Sequence, residues 1–178
     1  YWQRMERGEI DKNEVLVGRF REFFESEGLD ASLAAAFNDK YQLRLGDTLV
    51  FRDDSYHIVE SLCGKVRQFA VSNGTVAAQT KKLRLSGLGA LMDGVFLSEQ
   101  LGAEKPSPVF FDQVFDAIPP VSKAQVMIVG DSLTSDIRGG NNAGIVTCWY
   151  NPEGLKAPED LRIGHDIRAL HEVYGLLN

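Results

Sequence analysis

The sequence predicts a three-layer α/β fold, a parallel sheet covered by helices on both faces, with an all-helical segment ahead of it. Two observations predict it. Beyond Asp53, short apolar runs alternate with helical stretches over short connections, the pattern of strand–helix–strand units in a parallel sheet. Ahead of it, residues 1–60 hold four glycines and no proline, whereas residues 61–178 hold thirteen glycines and all six prolines. The expected division is a helical unit over residues 1–50 and an α/β unit over residues 51–178.

In chain order, apolar residues recur at three- and four-residue spacing in Trp2 to Gly8, Asn13 to Gly28 and Ala31 to Leu45, which predicts three antiparallel helices. Gly8 and Gly28 stand where C-terminal helix stops belong. Ser55 to Leu62 predicts a further helix. The apolar runs Val66 to Val71, Gly94 to Leu97, Val126 to Val129 and Ile145 to Trp149 predict strands, with helices over Thr75 to Leu88, Ser107 to Ile118 and Ser135 to Ala143 between them. A last helix is expected over Ile167 to Leu177.

Composition excludes several classes. With 44% apolar and 25% charged residues, the chain is neither disordered nor membrane-spanning, and no apolar run approaches the roughly 20 residues that cross a bilayer. A net charge of −6 without any basic block argues against binding a nucleic-acid polymer. Cys63 and Cys148 fit no metal-ligand or redox spacing, so reduced, buried thiols and a cytoplasmic location are expected.

In a sheet of this kind ligands bind beyond the carboxyl ends of the strands, so those positions carry the functional reading. The first run ends in Ser72-Asn73-Gly74-Thr75, which can offer hydroxyl and backbone donors to an anion at a helix start, or can be a plain Asn-Gly turn with Thr75 as cap. The third run ends in Gly130-Asp131-Ser132-Leu133-Thr134-Ser135-Asp136. Two carboxylates five apart can converge above the sheet and suit Mg²⁺, a hard cation satisfied by one or two protein carboxylates with water and phosphate oxygens. The alternative is that Asp131 or Ser132 caps the helix and Asp136 is a solvated first-turn acid. Between the two lies Lys105, held ahead of Pro106, either a phosphate-facing ammonium or an ordinary surface lysine. His57, His165 and His171 have no partners at ligand or triad spacing, and Phe20, Phe23, Phe24 and Phe37 read as the core of the helical unit; Trp2 and Tyr41 stay open as base-stacking candidates.

Taken in order, Val71-Ser72-Asn73-Gly74, Lys105-Pro106, and Gly130-Asp131 with Asp136 resemble the second, third and fourth motifs of the haloacid dehalogenase (HAD) superfamily of phosphohydrolases. Arg19-Phe20, Gln79, Ser98-Glu99, Gly139-Gly140 and Cys148-Trp149-Tyr150-Asn151 are similar to the bacterial pyrimidine 5′-nucleotidases within it. The resemblance implies a Rossmann-like core with the helical first third as an inserted cap. It further implies that Ser72, with the backbone of Asn73 and Gly74, holds the transferring phosphoryl group. Lys105 would neutralise that group, Asp131 would bind Mg²⁺, and Asp136 would be a second ligand, through water or by fixing Lys105.

The expected substrate is a small-molecule phosphomonoester, a nucleoside 5′-monophosphate or alternatively a sugar or glycolate phosphate, with a homodimer as the assembly to test. The superfamily's first motif, an apolar strand ending in Asp-x-Asp whose first carboxylate attacks phosphorus, has no match: Gly46-Asp47-Thr48-Leu49 and Asp93-Gly94 each lack the second acid. That strand is expected upstream of Tyr1, which would leave the 178 residues alone unable to hydrolyse anything. Two other readings stay open. A true haloacid dehalogenase needs no metal and leaves the paired acids unexplained, and a non-catalytic phosphate-binding module would apply if the native chain began at Tyr1.

Overall fold

The computed structural model describes residues 1–177; the last residue of the expected 51–178 unit lies outside them. The first third is made of helices joined by turns. Helix α1 (Trp2–Glu6) is closed by Gly8 at φ +75°, the left-handed stop that its position predicts. A π-helical turn, Glu14–Gly18, runs directly into α2 (Arg19–Ser26), and a 3₁₀ turn capped by the Asp30 carboxylate, which accepts from the Ser32 N–H, leads into α3 (Ala34–Leu45). Edge-to-face rings join α2 to α3: Phe37 lies 4.9 Å from Phe20 and 5.3 Å from Phe24, and Tyr41 lies 5.2 Å from Phe20. Of the expected phenylalanine core only Phe24 is buried, since Phe23 and Phe37 remain 53% and 45% exposed.

After α4 (Ser55–Leu62) the α/β alternation begins. It runs through β1 (Phe69–Ser72), α5 (Val76–Ser86), β2 (Gly94–Leu97), the short α6 (Ser98–Leu101), α7 (Pro108–Ala117) and β3 (Met127–Gly130). A second π-helical turn (Leu133–Ile137) then continues as α8 (Arg138–Ala143), followed by β4 (Val146–Tyr150) and β5 (His165–Ile167). All pairings are parallel, in two groups: β1 with β2, and β3 with β4 with β5. Between β1 and β3 lies an apolar cavity of about 550 Å³, lined by Phe69, Val71, Met127 and Val129 of the two strands and by Phe111 and Val114 of α7. Val129, on an otherwise apolar strand, is 40% exposed there.

One face of the sheet is held by Phe110, Phe111 and Val114 of α7 against Ile128 and Ala143, with Val71 and Phe96 packed alongside. Phe110 is fully buried, which contributes about 1.5–3 kcal/mol. A second cluster, Ile137, Trp149 and Leu161, lies beneath the π-turn that follows β3.

Three expectations are corrected. The run Val66 to Val71 becomes a strand only from Phe69, because Val66 closes a turn on Cys63. The last helix does not form: Ile167 ends β5, and residues Leu170–Leu176 make a 3₁₀ helix whose start is fixed by Glu172, which accepts from the N–H groups of Arg168 and Ala169 at 2.8 Å. Finally, Cys63 is exposed while Cys148 is buried, and burial pushes the Cys148 thiol up to about 11.

Candidate active site

Short connections after β1 and β3 bring the predicted residues to one end of the sheet. At the end of β1, Thr75 caps α5 by accepting from the Ala78 N–H at 3.3 Å, so the capping reading is correct for this residue. Ser72 Oγ accepts from the Gly74 N–H at 3.0 Å, which leaves the hydroxyl proton free to donate elsewhere. Asn73 is buried, and its amide is used twice on one partner. Its Nδ2 donates to the Lys105 carbonyl, and its Oδ1 accepts from the Lys105 N–H, both at 2.9 Å. The turn after β1 is thereby bolted to the segment that carries Lys105.

Lys105 is not a surface lysine. It is 6% exposed, ahead of a cis Pro106, and its ammonium donates to Asp136 Oδ1 at 2.6 Å and to the Val71 carbonyl at 3.1 Å. One ammonium thus spans from the tip of β1 to the π-turn beyond β3. An ammonium buried this deeply persists only when paired, and Asp136 is the pair.

Asp136 is likewise buried rather than solvated. Its second oxygen accepts from the Ser132 N–H at 3.2 Å, and it lies so close over Gly130 that a Cβ there would stand 2.3 Å from Oδ2, so only glycine fits at the end of β3. Ser132, not Asp131 or Asp136, caps the turn, accepting from the Ser135 N–H at 3.1 Å. Asp131 is exposed at the strand tip, with its backbone oxygen tied to the Trp149 indole N–H at 3.1 Å. Of the two expected metal ligands, Asp131 therefore has an open carboxylate, whereas Asp136 uses its oxygens to fix Lys105 and the turn. No group of three or more His, Cys, Asp or Glu side chains that could hold a metal ion occurs among the described residues.

Sequence reasoning missed the contacts by which the N-terminal helices meet this cluster. Glu6, at the end of α1, hydrogen-bonds the Thr134 hydroxyl; burial raises its carboxyl above the usual range, opposed by the hydroxyls of Thr134 and Ser135. Lys12 donates to Ser98 Oγ at 2.9 Å and approaches Glu104, beside Lys105. Gln42 of α3 accepts from the Thr75 hydroxyl at 3.0 Å. In sequence these are polar residues on amphipathic helices, and nothing distinguishes them from solvated ones.

Comparison with known proteins identifies the family. A model of the haloacid dehalogenase-like hydrolase family matches residues 1–144. The pyrimidine 5′-nucleotidase PynA of Streptococcus pneumoniae is 38% identical over 180 residues, covering 99% of this chain and 75% of that protein. The pyrimidine 5′-nucleotidase YjjG of Escherichia coli is 27% identical over 176 residues, covering 99% and 77%. The crystal structure of Bacillus subtilis YfnB bound to magnesium superposes with a TM-score of 0.94 at 34% identity, over 99% of this chain and 77% of that one. With the family model spanning most of its length, and with a buried lysine–aspartate pair joining the ends of β1 and β3, the chain belongs to the haloacid dehalogenase-like hydrolases.

Proposed function

We propose that the protein is a Mg²⁺-dependent phosphomonoesterase that acts on pyrimidine nucleoside 5′-monophosphates through an aspartyl-phosphate intermediate. The observation that carries this reading is the Lys105 ammonium, buried on Asp136 and set beside the Ser72 hydroxyl and the Asn73–Gly74 turn. Phosphoryl transfer asks mainly for positioned donors and for charge that neutralises the equatorial oxygens, and this cluster offers both. Ser72 donates its free proton to one phosphoryl oxygen, and Lys105 faces another with its remaining N–H. Asp136 and Asn73 hold the lysine in place.

The nucleophile belongs on a strand between β1 and β3. The apolar cavity there is bounded by one edge of each sheet, and an extended strand set about 4.8 Å from each neighbour would pair with both. A carboxylate at the tip of that strand attacks phosphorus as the ester P–O bond breaks, and water then cleaves the acyl phosphate. Asp131 fits Mg²⁺, being an open, hard oxygen donor at the tip of β3. The ion, when bound, supplies positive charge to the phosphoryl oxygens. Residues 1–50 act as the cap, and the names of PynA and YjjG support the pyrimidine nucleotide as substrate.

The test is phosphate release by the full-length protein from a panel of nucleoside and sugar monophosphates, with and without Mg²⁺. Metal-dependent release, highest on uridine and thymidine 5′-monophosphates and cut by orders of magnitude in Lys105→Ala, is the expected result. Metal-independent turnover or a mild Lys105→Ala effect overturns the mechanism, and a flat profile across the panel overturns the substrate.

A further inference from the structure

Arg19, at the start of α2, carries a buried donor that the fold leaves unpaired. Its Nε–H is shielded from solvent and has no hydrogen-bond partner. No ion pair among the described residues includes Arg19, although its neighbour Arg21 reaches Glu14 at 3.6 Å. The guanidinium lies instead on two aromatic faces, 4.5 Å from the Phe20 ring and 5.1 Å from the Tyr41 ring. A buried donor without an acceptor costs stability, and native proteins keep few of them. Contact with two rings inclined at 62° to each other holds the guanidinium in place, and its terminal N–H groups, which make no hydrogen bond among the described residues, suit a planar acceptor.

The ring that carries this group leads along α3 toward the phosphate turn. Tyr41, 36% exposed, is followed directly by Gln42, whose side chain accepts from Thr75, the residue that closes Ser72-Asn73-Gly74. Gln42 is itself steadied by its Nε2, which donates to Asn38 Oδ1 at 3.2 Å one turn earlier on α3. Arg19 also opens α2 immediately after the π-helical turn Glu14–Gly18, an irregularity frequent at functional sites; the second such turn, Leu133–Ile137, carries Asp136.

We infer that Arg19, seated against Tyr41, reads the carbonyl edge of the substrate's nucleobase, its terminal N–H groups donating to the 2-carbonyl oxygen that all pyrimidines share. The inference rests on the nucleotide reading above and adds its specificity element. Adenine, which has no carbonyl, offers no such acceptor, and a ribose phosphate lacks the ring altogether.

The experiment compares kcat/KM of the full-length protein for uridine 5′-monophosphate and ribose 5-phosphate in the wild type, Arg19→Met and Arg19→Lys. One charge-assisted hydrogen bond is worth a factor of about 10 to 100, so the ratio of the two kcat/KM values should fall by that factor in Arg19→Met, through a raised KM for the nucleotide, and by less in Arg19→Lys. A ratio unmoved in both variants overturns the inference, because a purely structural arginine would depress both substrates together. If Arg19→Met does not fold, an unmoved ratio in Arg19→Lys alone is sufficient to overturn it. A wild type that releases no phosphate from any nucleotide would instead fail the proposed function itself.

Discussion

Replacing Asp136 by asparagine tests the lock on which the site depends. The Lys105–Asp136 contact is 2.6 Å, with the two side chains only 7% and 11% exposed. The amide would keep the shape of the carboxylate and remove its charge, leaving a buried ammonium with only neutral acceptors, the Val71 carbonyl and the new amide oxygen. Breaking a buried pair in this one-sided way costs about 3–5 kcal/mol, a large part of the roughly 5–15 kcal/mol that holds an ordinary domain together. For a protein of this size that is a Tm loss of roughly 6–20 °C. Both quantities can be read from thermal and urea unfolding of the full-length protein at pH 7, at low and high salt. Burial shields the pair from screening, so the loss should persist in high salt. The double variant Lys105→Met/Asp136→Leu removes both charges and should recover most of the stability while remaining inactive. A loss under about 1 kcal/mol in Asp136→Asn, or a double variant no more stable than the single one, would refute the description of Lys105 as a buried cation dependent on one acid.

Four other outcomes are expected. Asp131→Asn should leave Tm within a degree or two, because Asp131 is exposed, yet reduce Mg²⁺-dependent turnover by at least about 100-fold; an unchanged metal dependence would return Asp131 to a structural role. A thiol reagent at pH 7 should label Cys63 alone in the native protein and both cysteines in denaturant. Because the Cys148 thiol ionises near 11 when folded against 9.0 ordinarily, the folded state keeps its proton longer than the unfolded one; stability should hold below pH 9 and decline between pH 9 and 11. Phe110→Ala should cost about 3–5 kcal/mol in urea unfolding, since the ring is fully buried between α7 and the sheet.

The sheet was legible because its strands are short apolar runs and its ligand-facing residues follow them directly. Ser72, Lys105 and Asp131 could be singled out by position alone, with no knowledge of what each touches. Contacts were not legible. Asp136 reads equally as metal ligand, first-turn acid or lysine partner until its oxygens are seen to meet Lys105 and Ser132. The C-terminal helix failed for a different reason. His165-Asp166-Ile167 is three residues long, too short for alternation to show, and the helical spacing beyond it is satisfied as well by a 3₁₀ turn tied down by Glu172. Glu6, Lys12 and Gln42 carried no site signal in the sequence, and Arg19 only that of the pair Arg19-Phe20, for a reason common to all four. A polar side chain on an amphipathic helix carries the same local signal whether it meets water or another unit of the fold, and only the partner distinguishes the cases. For three of them the partner is in the chain: Thr134 for Glu6, Ser98 for Lys12 and Thr75 for Gln42. Arg19 is the exception, with rings beneath it and no acceptor, and for that reason its missing partner is sought in the substrate.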